Sequence, residues 1–166
     1  MNRVFVGSLC CLFVWGVAFG QPPGVDTTSV DLGKGEVTIR YGAPKLGDRN
    51  IDDMIKPGLA WRMGMNAATT LATTVDLDFG GRKLAAGKYT LFARCDENRN
   101  WTLLVSSGTS YVLDPATVVL EAPLHFIKSA ESQDLLKITL EEDARGASLM
   151  VAWGTYRLHG SFKAAS

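Results

Sequence analysis

Residues 71–95 read LATTVDLDFGGRKLAAGKYTLFARC. Leu71, Thr73, Val75, Leu77 and Phe79 fall on one side of a two-residue alternation. Ala72, Thr74, Asp76 and Asp78 fall on the other. Gly80-Gly81 interrupts the pattern, and Leu84-Ala85-Ala86-Gly87 forms a short connector. Alternation then resumes, with Tyr89, Leu91, Ala93 and Cys95 set against Thr90 and Arg94. A period of two, broken by paired glycines, specifies half-buried strands joined by turns.

The same grammar extends in both directions. Upstream, Val37, Ile39 and Tyr41 alternate with Glu36, Thr38 and Arg40, and Gly42-Ala43-Pro44 ends the run. Downstream, Trp101, Leu103 and Val105 alternate after a polar turn at 96–100. Short apolar runs at 118–120, 124–127, 135–140, 148–153 and 156–162 complete the set. Residues 47–57 hold the best short helix, with Asp48 or Asn50 as its cap and Pro57-Gly58 as its stop. No long helical period occurs. The expected fold class is therefore all-β and mainly antiparallel, a sandwich or barrel-like domain with one short helix.

Residues 1–20 read as a secretory signal peptide. Arg3 supplies the basic start, residues 4–19 an uncharged, mostly apolar run, and Ala18-Phe19-Gly20 a small-x-small cut site. The run is short for a membrane span, which needs about 20 residues. Cys10 and Cys11 lack the preceding small residue of a lipid-attachment site. The expected protein is exported, periplasmic or extracellular, with no stable membrane insertion after cleavage. An extended N-terminal arm is expected over 21–33, and a single β-rich domain over 34–166.

Removing the first 20 of 166 residues takes Arg3 away and leaves 16 basic against 17 acidic side chains. A near-neutral chain without a basic run is not expected to bind nucleic acid. It also leaves Cys95 as the last of three cysteines, so the fold needs no disulfide, and the alternation puts Cys95 inside as a small apolar residue.

Catalytic signatures are sparse. His125 and His159 are far apart in sequence, and there is no HxH, HExxH, CxxC, GxSxG or phosphate-binding loop. No cofactor and no metal are expected. Asp76 and Asp78, if on one strand face, would sit about 7 Å apart, a separation that suits inverting glycoside hydrolysis. The plainer reading is a solvated polar face. Ser106, Ser107 and Ser110 read as turn formers.

The most unusual stretch is 61–70, WRMGMNAATT. Trp61 suits stacking on a sugar or aromatic ring. Arg62 suits a carboxylate or phosphate. Asn66 and Thr69 add hydrogen-bonding groups. These four are the candidate ligand-binding residues. The plainer account makes them structural: Trp61 in the core, Arg62 in a buried pair, and Gly64 and Asn66 in left-handed backbone.

The chain resembles the DUF2911 family of exported bacterial proteins. Tyr41-Gly42-Ala43-Pro44 is followed by Gly58-Leu59-Ala60-Trp61-Arg62-Met63-Gly64-Met65-Asn66-Ala67-Ala68-Thr69. Gly87-Lys88-Tyr89-Thr90-Leu91, Trp101-Thr102 and Trp153-Gly154 come after it in order. One departure is Ala67, where the family often carries an acid. The resemblance implies export and a β-rich fold, and no activity. The leading expectation for function is a non-enzymatic binding module for a small polar or carbohydrate-like ligand. The rivals are a hydrolase of the cell envelope and an assembly protein that pairs through its sheet edges. Oligomeric state is left open.

Overall fold

The computed structural model describes residues 24–166. The signal-peptide reading of residues 1–20 lies outside the described residues, as does the start of the arm. From Gly24 onward the chain is mainly antiparallel β with one short helix.

The strands are β1 (Val25–Asp31), β2 (Glu36–Gly42), β3 (Thr70–Thr73), β4 (Leu77–Phe79), β5 (Arg82–Leu84), β6 (Gly87–Cys95), β7 (Trp101–Ser106), β8 (Val118–Asp143) and β9 (Gly146–Ala164). They make one sheet in the order β1-β2-β3-β6-β7-β8-β9-β4-β5. The helix α1 spans Ile51–Met54, between β2 and β3, and Asn50 caps it by accepting from the Asp52 N–H at 3.0 Å. Among the described residues no helix is long and apolar enough to cross a membrane.

Residues 25–31, expected within an extended arm, form the sheet's first strand, paired with β2 along all seven positions. Only Val30 of this strand is buried. An edge strand with one inward apolar residue carries too little alternation to be legible beforehand.

The run 71–79 is not one strand. Thr73 Oγ1 donates to the Val75 carbonyl at 2.6 Å and accepts from the Val75 N–H at 3.3 Å. That hydroxyl turn ends β3, and the chain leaves for the other end of the sheet as β4. Short hydroxyl side chains compete in this way with the ladder. Gly80 and Gly81, at φ 65 and 94, then join β4 to β5 in the two-residue hairpin that positive φ at both positions permits.

The carboxy-terminal half, read as five short runs, is two long ribbons. β8 has 26 residues and β9 has 19. His125 to Lys128 pair with His159 to Tyr156, and Lys137 to Asp143 pair with Ala152 to Gly146. Between those blocks β8 takes a longer path, and Gly154 turns β9 at φ 52. β9 changes phase there: Ala147, Leu149, Val151 and Trp153 point inward before it, and Tyr156, Leu158 and Phe162 after it.

The sheet coils until the far half of β8 lies beside β1, but among the described residues no backbone ladder joins those two strands. Side-chain hydroxyls span the seam instead. The Leu140 N–H donates to Thr28 Oγ1 at 3.0 Å, and the Ile138 N–H donates to the Tyr41 hydroxyl at 3.0 Å. Next to it, residues 44–46 bond to 134–136, with Leu46 N to Asp134 O at 2.7 Å and Leu136 N to Pro44 O at 3.0 Å. Between the two halves lies one core that includes Ile39, Leu71, Leu91, Leu103, Ile138 and Leu158, each no more than 2 % exposed. Burying apolar side chains at about 25 cal/mol per Å2 is the main force holding the halves together.

Candidate functional site

The stretch after α1 fills an edge that β3 leaves open. β3 pairs with β6 only as far as Thr90. Beyond that point the Leu91 N–H donates to Thr69 O at 2.8 Å. Trp61 and Ala93 then exchange bonds at 2.7 and 2.8 Å, and the Gly58 N–H reaches Cys95 O at 2.8 Å. Residues 58–61 therefore run along the end of β6, and this pins Trp61 in place. Its indole stacks on Trp153, with centroids 5.9 Å and planes 8° apart, and meets Trp101 edge-on at 6.4 Å.

The chain next folds back tightly. Met63 is fully buried at φ 48, and its carbonyl accepts from Thr69 Oγ1 at 2.9 Å. Gly64 has no room for a side chain, since a Cβ there would stand 2.7 Å from Thr69 Oγ1. Asn66 takes φ 63 on the exposed outside of the turn. Thr69 is fully buried and spent on Met63. Of the four candidate residues, the structure brings Trp61 and Arg62 together at a cleft. It places Thr69 in the interior and Asn66 on the turn, away from that cleft.

The cleft has a volume of about 400 Å3. Trp61 and Phe92 form part of its wall, and Leu59, Tyr111 and Val112 rim it at 65, 55 and 64 % exposure. A smaller cleft of about 220 Å3 opens on the other side of Trp61 and Arg62, toward Gly64, Met65 and Trp153. Arg62 therefore stands on the wall shared by both. Its Nε donates to Gly64 O at 3.2 Å, and its guanidinium lies 5.4 Å from the centre of the Tyr111 ring. Its terminal amino groups have no partner among the described residues. The alternative reading, Arg62 in a buried pair with a carboxylate, finds no such partner among the described residues. A half-buried guanidinium with unused, forked N–H groups and a stacked ring is suited to a planar acceptor such as a carboxylate.

A second polar centre lies behind the cleft, at the start of α1. The Tyr156 hydroxyl donates to Asp52 Oδ1 and accepts from Arg99 at 2.5 Å. Asp52 also meets Lys128 at 3.2 Å and Arg99 at 3.4 Å. The Tyr156 and Lys128 hydrogen bonds hold the Asp52 carboxyl below its ordinary range. Burial, helped by Asp52, pushes the Tyr156 hydroxyl up to about 12. Two cations, Arg99 and Lys128, share the one carboxylate of Asp52, and the cluster ties α1 to β8 and β9. Its members are separated by up to 104 residues, so no sequence spacing revealed it.

The other candidates are dispersed. Asp76 accepts from the Ala86 N–H at 2.8 Å, and Asp78 from the Gly81 N–H at 2.5 Å while pairing with Lys83 at 3.0 Å. Asp76 lies just before β4 and Asp78 within it, and each carboxylate is engaged by its own turn. Ser106 shares a hydrogen bond with Thr117 at 2.6 Å, Ser107 donates to Thr117 O, and Ser110 accepts from the Val112 N–H. His125 lies seven residues along β8 from Val118, about 23 Å by strand rise. Cys95 is buried, as the alternation implied, and burial raises its thiol pKa.

Residues 24–162 match the family model described as protein of unknown function, DUF2911. The chain belongs to the DUF2911 family. No curated protein and no solved structure matches it. The DUF2911 match runs from the start of β1 to Phe162 of β9, so the Arg62 cleft and the Asp52 cluster both lie inside the family domain.

Proposed function

We propose that this protein is an exported, non-enzymatic binding module whose ligand is small and polar and presents a carboxylate or a carbohydrate-like face to Arg62. The observation that carries this reading is the state of Arg62: half-buried on the wall between two clefts, stacked over Tyr111, with its terminal amino groups unspent. Such a group recovers free energy when a planar acceptor takes its fork. Trp61 and Tyr111 offer ring faces for the less polar side of the same ligand. Export rests on the order of charge, apolar run and small residues in 1–20.

The test is a thermal-shift screen of small carboxylates and saccharides, followed by calorimetric titration of any hit against the parent and Arg62→Ala. A ligand that stabilises the parent and not the variant supports the reading. Hits that bind Arg62→Ala equally well, or a panel without hits, would count against it.

A further inference from the structure

We propose that His125 and His159 form a two-imidazole site for a borderline divalent transition metal of the Zn2+, Ni2+ or Cu2+ class, on the outer face of the β8–β9 ribbon.

The two histidines, 34 positions apart in sequence, are direct partners in the antiparallel ladder. Directly opposed residues project from the same face, with Cβ atoms about 4.5–5.5 Å apart. That spacing lets two rings converge on one ion at the usual metal–nitrogen distance of about 2.0–2.1 Å. The face is the accessible one. His125 is exposed and His159 half-exposed, while their neighbours Leu124 and Leu158 point into the core. The pair lies in the regular block of the ladder, from His125 to Lys128, before the register shifts. Its backbone is therefore held from both strands.

Neither imidazole has a hydrogen-bond partner among the described residues, so ligation displaces no existing interaction. Arg157, two residues from His159, is a cation on that face. Its guanidinium is tied to Gly154 O, Tyr156 O and Glu131 O, each at 2.9 Å, and so is drawn toward the register shift and away from the pair. Imidazole nitrogen selects zinc, nickel and copper over calcium and magnesium, which take oxygen. Among the described residues no group of three His, Cys, Asp or Glu side chains is placed to hold a metal. The pair thus fills two positions of the coordination sphere and leaves the rest to water or an outside donor.

The experiment is calorimetric titration of the untagged protein with NiCl2 and ZnCl2, beside His125→Gln and His159→Gln. One EDTA-reversible ion per chain is expected, with each substitution weakening it at least about tenfold. Undiminished binding in either variant overturns the proposal, as does no binding by the parent. Should a variant fail to fold, sub-stoichiometric Cu2+ is added to the parent and the imidazole proton signals are followed. Selective broadening of both histidines supports the site, and its absence overturns it.

Discussion

The indoles of Trp61 and Trp153 lie almost parallel, with ring centres 5.9 Å apart. This contact joins the irregular segment after α1 to β9. Trp153 is 2 % exposed, so Trp153→Ala should cost about 3–5 kcal/mol. Trp61→Ala should cost less, because part of its ring faces the cleft. Urea unfolding followed by tryptophan fluorescence checks both. Equal costs would place Trp61 wholly in the core.

Arg62 makes one hydrogen bond and one ring contact. Those interactions are worth about 1 kcal/mol and about 0.5–1 kcal/mol. Arg62→Ala should therefore lower stability by no more than about 2 kcal/mol while abolishing ligand response. A thermal-unfolding loss equivalent to about 3 kcal/mol or more, typical of a broken buried ion pair, would assign the guanidinium to the fold and remove the binding proposal.

Asn66 holds φ 63 on an exposed turn. Left-handed backbone costs a residue with a Cβ about 1–2 kcal/mol, and asparagine tolerates it better than alanine. Asn66→Ala should destabilise by about 1 kcal/mol, and Asn66→Gly should not. Paired thermal melts decide. Equal losses in both variants would mean that the side chain, rather than the backbone angle, is what matters.

Tyr41→Phe removes the acceptor for the Ile138 N–H and leaves that donor unpaired in the core, at a cost of about 1–3 kcal/mol. Thr28→Val should do the same at Leu140 with a smaller effect, since that bond is only partly buried. Amide hydrogen exchange should quicken at Ile138 and Leu140 first. Unchanged protection there would show that the seam is held by packing alone.

Titration acts on the seam from the alkaline end of the pH scale and on the Asp52 cluster from both ends. Burial raises the Tyr41 and Tyr156 hydroxyls to about 12. A raised folded-state pKa gives stability that is complete below the unfolded value of about 10 and is lost as pH rises through the folded one. Circular dichroism should therefore report alkaline unfolding between pH 10 and about 12, reduced in Tyr41→Phe relative to its own starting stability. Asp52 has a lowered pKa, so its share is present above about pH 4 and fades in acid. Asp52→Asn should flatten the acid limb of the stability curve. An unaltered limb would show that the Tyr156 and Lys128 contacts contribute nothing in solution.

Much of the sheet was legible because alternation survives where one face is buried along a strand, as in β2, and the inner face still reads in β6 and β7 although Phe92 and Leu104 are buried on the other. Of the two caps read in 47–57, Asp48 and Asn50, the structure uses Asn50, and the helix is confined to Ile51–Met54. Legibility failed where the decisive partner is distant. Nothing local separates β3 from β4 except the Thr73 hydroxyl turning onto Val75. Runs 124–127 and 135–140 looked like separate strands because the excursion between them is polar, yet both belong to β8. At the candidate site, Trp61 and Arg62 were identifiable by composition. Thr69 was not separable from them, because its burial depends on Met63 taking a left-handed turn. The Asp52 cluster and the histidine pair needed a three-dimensional register before they existed at all.

The phase change at Gly154 has a consequence for comparison within the family. Up to Trp153 the odd-numbered positions of β9 are dry, joined by Ala152, and from Tyr156 onward the dry positions, Tyr156, Leu158 and Phe162, are even-numbered. The glycine itself is packed so closely that an added Cβ would lie 3.1 Å from Leu46 and 3.2 Å from Ile51. An alignment that adds or omits a one-residue gap at this glycine would exchange the wet and dry faces of the whole final segment on paper. Gly154 is the mark from which both halves of the ribbon should be counted.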